Sequence, residues 1–193
     1  WSSDVCSSDL EMTISSEIRD TISIFKYVQS LSWVDTDNIF LMGKSMGGVD
    51  AVLASQGIGS QIKALVLWYP GFGISDMARK GQFLGESFFP FMPPETITVA
   101  GYTYSQAFLR EAQALDCAAA CRKCSCPVFI LHGDRDWIAP LRYSLELEHE
   151  FPDCRVMVIP GGGHGFLGLQ EFLSLDSMVG FVKGQITGFP EFP

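Results

Sequence analysis

Four short apolar runs, separated by longer stretches with helical spacing, are the feature that most restricts the fold of this chain. The runs cover residues 38–43, 63–69, 127–131 and 155–159. Strands buried on both faces of a parallel sheet have this nearly unbroken apolar character, whereas strands with one wet face alternate. Helices between successive strands let the strands run in one direction. The pattern predicts an α/β fold, with a parallel sheet covered by helices on both faces.

The stretches between the runs carry apolar residues at steps of three and four. The first predicts an amphipathic helix from Ile14 to near Leu31, with Ser15 or Ser16 as its N-cap. The other predicted helices lie between Ser45 and Gly57 or Gly59, over 141–151, and over 172–186. Residues 71–114 are too irregular for one crossover, which indicates an insertion over the sheet, where such segments usually cover a site.

The two ends of the chain differ from the rest. Residues 1–10 show no periodicity and match the reading-frame translation of a common sequencing-adapter oligonucleotide, so we interpret them as a non-native scar. The core is then expected to comprise residues 11–70 and 115–188. A cap is expected over residues 71–114, and residues 189–193 form a short tail.

The segment GKSMGG, residues 43–48, directly follows one predicted strand and precedes a helix. It matches G-x-S-x-G, which in this context indicates a sharp turn that exposes the hydroxyl of Ser45 above the sheet. The start of the helix would point the backbone amide of Met46 toward a developing oxyanion. The alternative is a helix start rich in glycine and serine, without chemistry.

The segment HGDRDWIAP follows the run 127–131 and offers two carboxylates at the carboxyl end of a strand. Asp136 is the candidate acid. Asp134 competes with it, but lies next to the strand end and is expected to bond the backbone of its own turn. His132 is interpreted as a structural residue at the end of the strand.

The segment GGGHGF follows the last run and places His164 in a loop between glycines. The order Ser45, Asp136, His164 is the serine, acid, histidine order of one class of hydrolases and differs from two protease orders. In such a set the imidazole removes the serine proton and the carboxylate orients the imidazole, which permits acyl transfer. His149, on a charged helix face, is interpreted as solvated.

The composition of the chain limits the kinds of partner that it can be expected to bind. The 193 residues include 22 acidic and 13 basic ones, for a net charge of −9, and no stripe of Lys and Arg offers a site for nucleic acid. No apolar run reaches the roughly 18 residues of a membrane helix, so no membrane partner is expected. A small-molecule ligand fits better, and the oligomeric state stays open.

Four of the six cysteines fall within ten residues, at Cys117, Cys121, Cys124 and Cys126. This is not the spacing of a disulfide-stapled secreted domain, so a reducing, cytoplasmic compartment is expected. A zinc or iron–sulfur site is the rival interpretation, but two separated Cys-x2-Cys pairs are missing. We therefore expect small, reduced, half-buried thiols and neither metal nor cofactor.

The segments GKSMGG, HGDRDWIAP and GGGHGF, in this order, resemble the motifs of the α/β-hydrolase superfamily over residues 11–188. The chain is most similar to the small bacterial carboxylesterases that include the cinnamoyl and feruloyl esterases. That closer similarity depends on residues 104–115, which resemble the helix leading from that family's cap back to the acid-bearing strand. The resemblance implies a serine esterase for small-molecule esters, with aromatic acyl groups as candidates.

The resemblance also implies a cap whose aromatic side chains line an acyl pocket, although the same side chains could simply pack the cap on the core. The candidates are Phe88, Phe89, Phe91, Tyr102, Tyr104 and Phe166.

Two departures from the family are visible. Lys44 stands where the family usually has histidine. The family also begins with further strands and a loop that supplies a second oxyanion amide, the loss of which costs on the order of 100-fold to 1000-fold in rate. We therefore expect a chain truncated at its N-terminus, with residues 38–43 exposed as a sheet edge, that is unstable or nearly inactive. Comparable turnover of p-nitrophenyl butyrate by this chain and by the completed gene would contradict this.

Two other functions share these motifs. A prolyl-oligopeptidase-like peptidase has the same residue order but normally carries a large N-terminal propeller. A catalytically silent α/β-hydrolase domain could serve as a binding module. Dienelactone hydrolases use cysteine as the nucleophile, so Ser45 argues against them.

Overall fold

The computed structural model describes residues 11–99 and 101–186, so the predicted scar at 1–10 and the tail at 189–193 lie outside the described residues. Helices and strands alternate along the chain outside residues 82–122, where four short strands and then two helices follow one another. The helices are α1 (Ile14–Gln29), α2 (Met46–Ile58), α3 (Ile74–Arg79), α4 (Gln106–Ala114), α5 (Cys117–Arg122), α6 (Leu141–Glu148) and α7 (Leu169–Gln185). The strands are β1 (Phe40–Lys44), β2 (Ala64–Trp68), β3 (Gln82–Phe83), β4 (Glu86–Ser87), β5 (Thr96–Val99), β6 (Tyr102–Ser105), β7 (Val128–Gly133) and β8 (Cys154–Ile159).

The four predicted apolar runs form one parallel sheet with the strand order β1-β2-β7-β8. This confirms the predicted α/β fold. All residues of β2 and β7 are buried. The expectation of burial on both faces is wrong for the outer strands, where Met42 on β1 and Val158 on β8 are 40% and 38% exposed. Each outer strand pairs on one side only within the described residues, which leaves part of it uncovered.

Helices cover both faces of the sheet, as predicted. On one face, Leu65 and Ile130 pack with residues of α2 and α5. On the other face, Val66 and Phe129 pack with Phe181 of α7. Among the helices of the described residues, none combines the length and the apolar character that crossing a bilayer requires.

The N-terminal end of α1 differs from its prediction. The N-cap is Thr13, whose hydroxyl accepts a hydrogen bond from the amide of Ser16 at 3.1 Å. The Ser16 hydroxyl in turn accepts one from the amide of Thr13 at 2.8 Å. This reciprocal capping box gives a hydrogen-bond partner to the backbone amides of both Thr13 and Ser16. The helix therefore begins two or three residues earlier than a cap at Ser15 or Ser16 would allow.

The predicted insertion, residues 71–114, contains α3, two short antiparallel hairpins and α4. Its buried residues form a separate apolar cluster that includes Ile74, Phe83 and Phe108. Ile14 of α1 belongs to the same cluster, and Met46 at the start of α2 packs against it. The insertion is therefore held against the point where β1 ends and α2 begins.

Candidate active site

The turn between β1 and α2 holds Ser45 in a strained conformation, with φ 53° and ψ −123°. A positive φ is costly for a residue with a β-carbon, so the surrounding structure has to enforce it. The Ser45 amide donates to the Trp68 carbonyl at 3.0 Å, and the Gly71 amide donates to the Ser45 carbonyl at 2.8 Å. These bonds to the end of β2 hold the serine at the carboxyl edge of the sheet.

The glycines of this turn permit close packing of backbone. A β-carbon on Gly48 would lie 2.8 Å from Cβ of Pro70, and one on Gly43 would collide with the backbone of the next turn. A β-carbon on Gly47 would meet nothing within 4 Å. Close approach therefore explains two of the three glycines in the motif.

Asp136 lies in the loop after β7, with a fully buried side chain. Its Oδ1 atom accepts from the amides of Ile138 at 3.0 Å and Ala139 at 2.8 Å. Burial would raise the pKa of Asp136, but hydrogen bonds from His132, His164 and the Ala139 amide outweigh it and hold the pKa well below its usual range. The carboxylate is therefore charged and fixed in direction.

His164, in the loop after β8, joins the other two predicted residues. Its Nδ1 atom lies 2.8 Å from Oδ2 of Asp136, and its Nε2 atom lies 2.9 Å from Oγ of Ser45. A carboxylate only accepts, so Nδ1 carries the ring proton and Nε2 of the neutral ring accepts from the serine hydroxyl. The structure thus brings together Ser45, Asp136 and His164 in one hydrogen-bonded chain.

Aromatic rings hold the imidazole in place from the side. The Tyr69 ring, at the end of β2, lies 4.9 Å from the His164 ring between centroids. Phe166 packs edge-on against Tyr69 at 5.0 Å and lies 5.4 Å from Trp68. Sequence reasoning overlooked Tyr69, although it ends the apolar run 63–69 and so stands where a strand meets the site.

The other histidines and the second carboxylate that the sequence offered do not join this hydrogen-bonded chain as catalytic groups. His132 is completely buried, with Nε2 2.6 Å from the Ala139 carbonyl and Nδ1 2.8 Å from the Ser144 hydroxyl. Asp134 accepts from the Gly161 amide at 2.7 Å, in the loop after β8 rather than in its own turn as expected. Parallel neighbouring strands place these two loops side by side, which explains the difference. His149 is exposed at the end of α6.

Two residues flank Ser45 along the chain. Met46 is the first residue of α2, where backbone amides have no partner within the helix and can face a ligand. Lys44 is exposed, and its Nζ atom lies 4.5 Å from the centre of the Trp68 ring. The lysine that departs from the family pattern is thus engaged with an aromatic ring.

A cavity of about 290 Å³ opens beside Ser45. Of the six aromatic candidates for the pocket, Tyr104 lines it. Phe89, Phe91 and Tyr102 are exposed instead, and Phe166 is buried beside Tyr69. Phe88 packs against the apolar cluster of the insertion.

The cavity is otherwise lined by side chains that sequence reasoning did not select. They come from the segment before α1, from α1 and α2, from the insertion and from the loop after Asp136, and include Met12, Glu17, Asp50, Ile74, Met77, Phe83, Leu84, Phe108 and Ile138. Regular apolar spacing marks several of them as core residues, but spacing alone does not show which core residues border an opening.

The cysteines lie away from this cavity. Cys117, Cys121, Cys124 and Cys126 are buried in the core cluster that also contains residues of α2, not half-buried as expected. Burial raises the pKa of Cys117 to about 11, so its thiol is protonated at neutral pH. No group of three or more metal-binding side chains was found in the part of the chain that the structure describes.

Fold and site together define a hydrolase of the α/β class. Residues 11–168 match the protein family described as having the alpha/beta hydrolase fold. The chain therefore belongs to the α/β-hydrolase family. No curated protein matches the chain significantly.

Solved structures agree with this assignment. Est1E from Butyrivibrio proteoclasticus is 27% identical, with a TM-score of 0.84 over 90% of this chain and 71% of its own. Est1E with ferulic acid bound matches with a TM-score of 0.83 and 27% identity, over 90% of this chain and 69% of that one. A monoacylglycerol lipase from Paleococcus ferrophilus shares the fold, with a TM-score of 0.64 and 15% identity over 92% of this chain and 77% of its own.

Proposed function

We propose that this chain is a serine hydrolase that cleaves carboxylic esters through an acyl intermediate on Ser45. One observation carries the proposal: Nε2 of His164 lies 2.9 Å from the serine Oγ, while its Nδ1 lies 2.8 Å from Asp136. An imidazole with its proton on Nδ1 and its free nitrogen toward a hydroxyl is arranged to accept the serine proton.

The reaction has two halves. In the first, Oγ of Ser45 bonds to the ester carbonyl carbon as its proton passes to His164, and the carbonyl oxygen gains the negative charge beside the amide of Met46. The carbon–oxygen bond to the alcohol then breaks, and His164 returns the proton to that oxygen. In the second, His164 takes a proton from water, hydroxide attacks the acyl carbon, and Ser45 leaves with that proton.

The cavity beside Ser45 is the proposed acyl pocket. Its volume of about 290 Å³ lies near the lower limit of small-molecule sites, and most of its lining is apolar. Est1E, a structural neighbour of this chain, has been solved with ferulic acid bound. An aromatic acyl group of the cinnamoyl or feruloyl type is therefore part of the proposal.

Covalent labelling with a fluorophosphonate probe tests the proposal, because the probe reports the activated serine without requiring turnover. We expect labelling of this chain and none of Ser45→Ala. Ser60→Ala, which removes an exposed serine outside the site, is the matched control and should label normally. Failure of the unaltered, folded chain to react would favour the catalytically silent binding domain.

A second comparison separates the esterase from the peptidase. The same acyl group is presented as a p-nitrophenyl ester and as a p-nitroanilide, and kcat/KM is measured for each. Hydrolysis of the ester that depends on Ser45, with the anilide cleaved far more slowly, supports the proposal. Preferential cleavage of the anilide and of short peptides would support a peptidase instead.

A further inference from the structure

A buried carboxyl group in the cavity has no role in the reaction proposed above. Asp50, on α2, lines the cavity together with Ser45 and is only 5% exposed. Its Oδ1 atom is fully buried and has no hydrogen-bond partner among the described residues. Native proteins pair nearly all buried polar atoms, so an unpaired carboxyl oxygen on a side chain that lines a cavity indicates that a ligand group completes its bonding.

The surroundings of Asp50 specify what kind of ligand group would fit. The titratable side chains that line the cavity with it are Glu17 and Tyr104, and neither lysine nor arginine is present in the lining. Burial, and then repulsion from Glu17, raises the pKa of Asp50 to about 7. A carboxyl that is protonated part of the time can both accept and donate, which suits a neutral hydroxyl group.

The position of Asp50 relative to Ser45 determines which part of a bound acyl group would reach Asp50. Ser45 is the N-cap of α2, and Asp50 follows it five residues later. Five residues of helix advance about 7.5 Å along the axis. An acyl group attached to Ser45 therefore reaches Asp50 with a part several carbon atoms from the carbonyl, while the carbon atoms between cross the apolar lining.

We infer that Asp50 is a specificity-determining residue that hydrogen-bonds a hydroxyl group at the far end of the acyl chain. The site would thereby prefer an acyl group with a distal hydroxyl over one of the same size that ends in a methyl group. This inference rests on the proposed function, because it takes Ser45 as the atom that carries the acyl group.

The test uses pairs of p-nitrophenyl esters with equal numbers of heavy atoms. Esters of ω-hydroxyalkanoic acids with four to eight carbons are compared with esters of alkanoic acids that have one carbon more. For the chain length that places the hydroxyl at Asp50, we expect kcat/KM to favour the hydroxyl ester about tenfold. A ratio near one at every chain length would overturn the inference.

Variants identify Asp50 as the source of the preference. Asp50→Leu should abolish or invert the ratio, whereas Asp50→Asn, which retains hydrogen-bonding capacity, should keep most of it. Asp20→Leu removes an exposed carboxyl from α1 outside the cavity and should leave the ratio unchanged. A purely structural role for Asp50 would change kcat/KM for both esters of a pair equally, and that result would also overturn the inference.

Failure of this inference is distinguishable from failure of the proposed function. If alkanoate esters are cleaved and the ratio is one, the inference alone fails. If no ester is cleaved, the proposed function fails, and calorimetry then compares the binding of free 6-hydroxyhexanoate and heptanoate. Tighter binding of the hydroxy acid that is lost in Asp50→Leu would support the role of Asp50, and equal affinity would refute it.

Discussion

Gly43 and Gly47 approach so closely that a β-carbon on Gly43 would lie 2.2 Å from the Gly47 carbonyl oxygen. The atoms that such a β-carbon would meet belong to the backbone, so no flexible side chain can move aside to make room. We expect Gly43→Ala to lower the free energy of unfolding by about 3 kcal/mol or more and to displace Ser45. Gly47→Ala, in open space inside a helix, should change it by about 1 kcal/mol or less. Urea denaturation of both variants checks this, and equal effects would contradict it.

Asp136 and Asp134 form a matched pair of carboxylates in one loop. Asp136→Asn should reduce the rate of fluorophosphonate labelling by about 10⁴-fold, because an amide can donate to Nδ1 and favour the wrong tautomer of His164. Asp134→Asn keeps an oxygen for the Gly161 amide and should alter the rate only a few-fold. Circular dichroism would show that both variants are folded. A similar loss of labelling rate in both variants would contradict the proposed role of Asp136.

Substitutions of His132 and His149 compare the loss of a buried histidine with the loss of an exposed one. His132→Leu leaves the Ala139 carbonyl and the Ser144 hydroxyl without their partner, at a cost of about 2–4 kcal/mol in unfolding free energy. His149→Leu, at an exposed position, should stay within about 0.5 kcal/mol. Thermal and urea unfolding measure both. A stable His132→Leu protein would show that the strand end tolerates the loss of these bonds.

Asp50 makes stability depend on pH. Its pKa rises from 3.8 to about 7 on folding, so between these values the folded state binds more protons than the unfolded one. Stability is therefore lost as pH rises from about 4 to about 7, by up to about 4 kcal/mol, and then levels off. Asp50→Asn should be more stable than the parent at pH 8 and similar near pH 4. An advantage that does not grow with pH would contradict the assignment.

The three residues of the site could be predicted from sequence because each follows an apolar run. Carboxyl ends of parallel strands share one edge of a sheet, so Ser45, Asp136 and His164 had to meet once the strands were identified correctly. Their order along the chain then indicated the class of hydrolase, which the family match confirms.

The lining of the cavity could not be predicted in the same way. In the irregular insertion, packing rather than periodicity decides which aromatic side chain turns inward: Tyr104 borders the cavity, while Phe91 is 85% exposed. Asp50 lies in a stretch of α2 whose neighbours are buried, and its sequence context gave no sign of a cavity. Which side chains border the cavity depends on contacts between segments that are distant in the sequence.

The hydrogen-bonded chain across the edge of the sheet has a consequence for how this protein can be studied. Ser45 follows the outer strand β1, while His164 follows β8 at the opposite side, 119 residues later, with β2 and β7 between them. The bond between His164 and Ser45 that activates the serine in the proposed function requires all four strands to be in register. Under that proposal, labelling of Ser45 is a sensor of complete assembly and counts correctly folded molecules in a mixture where helix content alone would not.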